Sequence, residues 1–276
     1  MRAVDRLSPG AAVECRTEDA VAVIVLNRPE TGNVLDLEAT RAFRDAALAA
    51  VGARVVVIRS TGRLFCGGGD LKGLAGDADE VAAKMHEGVE LLHEGLLALH
   101  EQNAPLITQV QGAAAGAGLS LVAASDIAVA SPDASFVFGY TAAGLSPDGG
   151  ASYFLPRAIG ARRALELAIS NRVLGAEEAA RIGLISHLVA AEELAEFTER
   201  LASRLADGPT AAFGAVRRLI EADGGAALRS HLGAEAESIS RLGASADGQE
   251  GIAAFLEKRR PRFAKAGMPA DDGERN

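Results

Sequence analysis

Apolar positions in the first half of the chain switch repeatedly between two spacings. Val21-Ala22-Val23-Ile24-Val25-Leu26 is an unbroken, largely β-branched run ending at Asn27-Arg28-Pro29. Such a run predicts a buried strand. From Asp36 to Ala50 the spacing becomes helical, with Asp36 near the start and Leu37, Phe43, Leu48 and Val51 available to a core. Arg54 to Ser60 returns to strand, and Ala78 to Gln102 reads as a long helix. Strands are expected near Leu106 and Asp126, with helix-forming sequence after Gly116 between them. From about Leu155 the pattern is almost wholly helical, apart from a strand-like piece at Leu184 to Val189. Repeated strand–helix units predict an α/β fold with covered sheets.

Two small-residue turns interrupt this alternation. Phe65-Cys66-Gly67-Gly68-Gly69-Asp70-Leu71-Lys72 follows the strand pattern Val55-Val56-Val57-Ile58, and Gly112-Ala113-Ala114-Ala115-Gly116-Ala117-Gly118 follows Leu106-Ile107-Thr108-Gln109-Val110. Small residues let a ligand approach the main chain, and N–H groups at a helix start attract negative charge. Two such turns can aim two N–H groups at one developing oxyanion. The pairing points to acyl-transfer or enolate chemistry. A simple tight turn is the plainer reading of Gly67-Gly68-Gly69. Gly116-x-Gly118 is half of a dinucleotide fingerprint, but position 121 is Leu and no acidic residue follows at the required distance.

These turns, together with Asn27-Arg28-Pro29-Glu30, Pro147-Asp148-Gly149-Gly150 and the late run from Ser245-Ala246-Asp247 to Phe255-Leu256-Glu257-Lys258-Arg259, resemble the crotonase superfamily, also called the enoyl-CoA hydratase/isomerase family. The likeness runs from about Val13 to about Lys265. Around Gly144-Leu145-Ser146-Pro147-Asp148 and in the C-terminal third it is most similar to the group holding the phenylacetate-pathway ring-epoxide isomerase and enoyl-CoA isomerases. The resemblance implies a spiral of ββα units over residues 1–200, a C-terminal helical trimerisation region over 201–266 and a loose tail over 267–276. It also implies a homotrimer or a dimer of trimers.

The same resemblance implies roles for particular residues. The oxyanion N–H groups would come from Gly69 and Ala117, and Asp148 would be the acid–base residue. Arg28, Gly69, Asp70, Leu71, Lys72, Ala117 and Tyr140 would bind the acyl-CoA substrate. Family hydratases hold water with two glutamates; here those positions are Ser120 and Tyr140. Neither supplies a carboxylate base near neutral pH. A single carboxylate at Asp148 therefore suits an isomerase that moves a double bond or rearranges a ring, with no metal and no cofactor beyond the CoA carried by the substrate. The alternatives are a hydratase using other acids and a non-catalytic acyl-CoA-binding protein. Acyl-pocket residues are expected largely from the region Gly73 to His100.

Plainer structural roles compete for several of these residues. Asp148 precedes Gly149-Gly150 and a helix-like run, so it could be an N-cap with a lowered pKa. Asp70 could be a helix start. Tyr140 could fill space or orient the acyl group. His86, His93 and His100 share one helix face at about 10 Å intervals, too far apart to bind one metal, and predict a polar face or pocket lining. Ser120 and Ser146 lie outside any Gly-x-Ser-x-Gly elbow.

Charge and composition narrow the classes further. A net charge of −9 argues against a nucleic-acid surface. It also means that an anionic CoA ester would need local cations, for which Arg28, Lys72 and Lys258-Arg259-Arg260 are candidates. No apolar run reaches the roughly 18 residues needed to span a bilayer, and Met1 to Gly10 lacks an apolar signal segment. Cys15 and Cys66 read as buried thiols of a reducing compartment. A cytoplasmic, membrane-free protein is expected.

Overall fold

A computed structural model describes residues 10–74, 76–221 and 225–263. Strands β1 (Val13–Glu18) and β2 (Val21–Leu26) form an antiparallel hairpin. Its two-residue turn places Asp19 at φ 47° and Ala20 at φ 64°, the pair of positive φ values that matches strand twist in a tight hairpin. Helix α1 (Leu37–Ala49) follows, its first turn capped by Asp36, whose side chain accepts from Ala39 N–H at 2.7 Å. Strand β3 (Val55–Ser60), helix α2 (Ala78–Glu101, capped by Asp77) and strand β4 (Leu106–Val110) complete the first crossovers.

Beyond β4 the units shorten to β5 (Ala113–Ala115), α3 (Ala117–Ala123), β6 (Ile127–Ala130) and β7 (Ser135–Val137). Helices α4 (Ala151–Ile159) and α5 (Ala161–Ser170) precede β8 (Leu174–Gly175), α6 (Ala176–Ile182) and β9 (His187–Leu188). The chain closes with α7 (Leu194–Ala206), α8 (Thr210–Glu221), α9 (Ala226–Gly243) and α10 (Ala246–Leu256). One sheet has the order β1-β2-β3-β4-β6-β9, parallel from β2 onward, and a smaller sheet has the order β5-β7-β8. This is the mixed α/β architecture expected from the sequence.

Both faces of the main sheet are covered. Ala22, Ile24, Val56 and Ile58 face the larger core beneath α1 and α2; Val21, Val23, Val25 and Val57 face a second core closed by α7. That two-sided burial explains why β2 is apolar at every position.

Several expectations need correction. Leu48 and Val51 are more than half exposed. The buried stripe of α1 is Ala39, Thr40, Phe43, Ala46 and Ala47, and Leu48 sits one residue, or 100°, past it. The Gly112–Gly118 turn contains a strand, β5, because Ala113–Ala115 pairs in register with Ser135–Val137. Only His187–Leu188 of the 184–189 piece is strand, and helix begins at Ala151 rather than near Leu155. The boundary expected at 200 falls inside α7, whose buried face is continuous through Leu194, Thr198, Leu201 and Ala202. Helix α9 packs along α2 and joins the main core through Leu228, Leu232, Ala236 and Ile239. The expected tail, 267–276, lies outside the described residues.

Candidate active site

Two isolated bridges hold the small-residue turns together. Cys66 bridges Ala114: Cys66 N–H donates to Ala113 O at 3.2 Å, and Ala115 N–H donates to Cys66 O at 2.9 Å. Leu35 bridges Gly69 in the same manner, through Leu35 N–H to Gly68 O at 2.8 Å and Asp70 N–H to Leu35 O at 3.2 Å. A parallel bridge uses the groups flanking Gly69 and leaves Gly69's own N–H pointing the other way. Ala117 opens α3, so its N–H has no carbonyl within the helix to receive it. Both residues line a cavity of about 860 Å³.

Glycine is required here for two distinct reasons. A Cβ on Gly118 would lie 2.5 Å from Cys66 O, and one on Gly68, already at φ +97°, would lie 2.9 Å from Ala115 O. These glycines let the turns touch backbone to backbone. A Cβ on Gly69 would meet nothing within 4 Å; it would enter the cavity instead.

Asp148 lines the same cavity and is 8% exposed. Its Oδ1 accepts from the Tyr140 hydroxyl at 2.6 Å, and Oδ2 receives no hydrogen bond from the described residues. Ser120 Oγ lies 2.8 Å from Tyr140 Oη and 2.9 Å from the Asp148 carbonyl oxygen. The two hydroxyls at the glutamate positions thus form one network with the carboxyl group. Burial pushes the Asp148 carboxyl up to about 6, against the Tyr140 hydrogen bond and nearby His93, which pull it down, and with the Glu235 charge, which adds to the rise. Tyr140 is pushed well above the ordinary phenol range by burial and by Asp148. It therefore serves as a neutral donor.

The N-cap alternative for Asp148 does not hold. The cap position of α4 is Gly150, at φ +77° and with no side-chain cap. Its amides are instead met from distant helices. Gly150 N–H and Ser152 N–H each donate to Glu235 of α9 at 2.8 Å, and Gly149 N–H donates to His93 Nε2 of α2 at 3.1 Å. Burial raises the Glu235 carboxyl, but the neighbouring His93 ring, with Nε2 at 3.5 Å, and the bonds from Ser152 and Gly150 outweigh it and hold it below the usual range.

Gly69, Asp70, Leu71, Ala117, Tyr140 and Asp148 all line the cavity. Arg28 and Lys72 are not among its lining residues. The Arg28 guanidinium is committed to Asp36 at 2.5 Å and Glu38 at 2.6 Å, so the cation expected there for CoA already has two carboxylate partners. Arg259 does line the cavity, held by Glu250. Asp70 starts the helical turn Leu71–Leu74 and accepts from Lys72 N–H at 3.1 Å. Of the three histidines on α2, His93 is buried against the Asp148 turn, His100 meets Glu221 and His86 is half exposed beside Glu90.

Glu235 escaped the sequence reading. Its signal was an acid on the apolar stripe Leu228, Leu232, Ala236, Ile239 of α9. Cys15 and Cys66 are free thiols; burial pushes Cys66 up to about 12. Among the described residues no group of three metal-ligating side chains gathers, and no helix is long and apolar enough to cross a membrane.

Comparison with known proteins places the whole chain in one family. Residues 16–266 match the model of the enoyl-CoA hydratase/isomerase family. A Rhodobacter capsulatus protein named "Probable enoyl-CoA hydratase" is 39% identical over 246 residues, covering 89% of this chain and 95% of that protein. The 1,2-epoxyphenylacetyl-CoA isomerase of Escherichia coli is 34% identical over 255 residues, with 89% and 95% covered. The crystal structure of an enoyl-CoA hydratase from Mycobacterium avium subsp. paratuberculosis superposes with a TM-score of 0.80 at 32% identity, covering 93% of this chain and all of that one. With its bridged small-residue turns and its buried acid opening on one cavity, the chain belongs to the enoyl-CoA hydratase/isomerase family, the crotonase superfamily.

Proposed function

We propose that this enzyme is an acyl-CoA isomerase that moves a double bond, or rearranges a ring, through an enolate. The observation that carries the reading is Asp148: one buried carboxyl group on the cavity, poised at about 6, with hydroxyls at the positions where hydratases carry glutamates. The thioester oxygen would rest on the N–H groups of Gly69 and Ala117, where negative charge develops. From a 3-enoyl ester, Asp148 takes a proton from C2, the dienolate charge gathers on the thioester oxygen, and the same carboxyl returns the proton to C4. Mass is conserved and no water enters. Asp148 is ionised above about pH 6 and so is available as a base at neutral pH. The Escherichia coli relative named an isomerase supports this reading.

CoA would arrive as part of the substrate, with Arg259 on the cavity wall as a cation for it in spite of its own partners Glu250 and Glu257, and no metal or separate cofactor takes part. Exposed Val216, Leu219 and Ile220 on α8 support subunit contacts of the expected trimer or dimer of trimers. Two free thiols suit a cytoplasmic setting.

Hydration is the second reading, favoured by the name of the Rhodobacter relative. Purified protein supplied separately with 3-enoyl-CoA and 2-enoyl-CoA separates the two. Conversion of the 3-enoyl ester at unchanged mass supports the isomerase, whereas a gain of water from the 2-enoyl ester establishes the hydratase. Asp148→Asn should lose about 10²–10⁴-fold in turnover while still binding acyl-CoA. Near-full activity in that variant would sink the assignment.

A further inference from the structure

The two residues after Asp148 take a backbone conformation that glycine adopts freely and other residues rarely do. Gly149 and Gly150 are both left-handed, at φ +62° and +77°, and their amides point away from any helix of their own. Ser120 holds the Asp148 carbonyl and Tyr140 holds Oδ1. The remaining anchors are His93 and Glu235, which are 6% and 4% exposed and come from helices far away in sequence. Glu235 takes two amides at once, one on each oxygen. A carboxylate bridging two N–H groups at a helix start makes strong, charge-assisted bonds.

We propose that Glu235 is a positioning residue for this reaction, fixing the Asp148–Gly149–Gly150 turn through the Gly150 and Ser152 amides and keeping a negative charge behind Asp148. This rests on Asp148 being the working base. The groups facing Asp148 are few. They are His93 from α2, Glu235 from α9, Ser120 from α3, Tyr140 from the preceding loop and the Cys66 thiol from the first small-residue turn. His231 of α9 reaches the turn only indirectly, through Ser152 Oγ at 3.1 Å. Glu235 is the carboxylate of this set other than Asp148, so the direct effect of removing its charge is to favour the ionised form of Asp148. The carboxyl group of Asp148 should then release its proton more easily.

Two variants separate charge from geometry. Glu235→Gln removes the charge and turns an amide donor toward one of the two backbone donors. Glu235→Asp keeps the charge and shortens the reach by one methylene. Both should lower kcat by about 10-fold to 10²-fold, the order expected when a base is misplaced, with KM within about threefold of wild type. Only Glu235→Gln should move the acid limb of kcat to lower pH.

The same displacement should appear without turnover, in a 13C titration of the Asp148 carboxyl carbon assigned with Asp148→Asn. An unchanged Asp148 midpoint in Glu235→Gln would overturn the electrostatic part. Wild-type kcat in both variants would overturn the positioning part. Loss of activity in Asp148→Asn but not in the Glu235 variants would refute this inference and leave the isomerase reading intact. An active Asp148→Asn would refute that reading instead, with the carboxyl titration still deciding the role of Glu235.

Discussion

Replacing Asp148 by Asn should make the protein more stable as well as inactive. An aspartate in the unfolded chain titrates near 3.8, whereas folded Asp148 is raised to about 6, chiefly by burial. Between those values the native state holds a proton that the unfolded state has released. Stability therefore falls as pH rises through this window. At about 1.36 kcal/mol per pH unit, the displacement amounts to about 3 kcal/mol, fully felt above about pH 7 and absent below about pH 4. Asn is neutral, has nearly the same shape, and its carbonyl oxygen can still accept from Tyr140. The assay is urea unfolding of both proteins at several pH values between 4 and 8, with the difference in unfolding free energy plotted against pH. Titrating groups that do not interact with Asp148 cancel in that difference. The variant should gain about 2–3 kcal/mol on wild type between the acid and alkaline ends. A difference that stays flat with pH, or that favours wild type increasingly at pH 8, would refute the burial argument.

Tyr140→Phe removes the hydroxyl that pulls the Asp148 carboxyl down. Loss of a bond worth about 1.5–3 kcal/mol should move the acid limb of kcat/KM upward by about 1–2 pH units, leaving about a half to a tenth of the full activity at pH 7 and restoring it by pH 9; an unmoved limb contradicts this. Gly118→Ala should cost about 1–3 kcal/mol in urea unfolding, because its methyl group meets Cys66 O. Gly69→Ala should unfold like wild type yet lose turnover, because its methyl group enters the cavity. Gly88 lines the cavity in mid-helix with open space at its Cβ position. Gly88→Leu should therefore fold at least as well and shift kcat/KM toward shorter acyl groups, as measured across an ester series.

The sequence showed the strand–helix alternation and the two small-residue turns because both are local. An apolar run such as 21–26 can be read within one window, and so can a glycine cluster. It missed β5 because Ala113–Ala115 has no strand signal of its own and pairs only because Ser135–Val137 lies alongside. It left the cap role of Asp148 open, since the choice depends on Glu235, which arrives 87 positions later to take the Gly150 and Ser152 amides. The partners of Arg28 were hidden for a similar reason. A basic residue after the first strands looked free until Asp36 and Glu38 folded back onto it.

The bridges Leu35–Gly69 and Cys66–Ala114 have a consequence for how the enzyme comes into being. Each joins segments tens of residues apart, and such non-local pairings are slow to form because loop closure must come first. A refolding chain could recover most of its helical circular dichroism while the second turn was still undocked, and it would be catalytically silent until then. Return of turnover during refolding should therefore lag behind the return of helix, making activity a timer for completion of the topology.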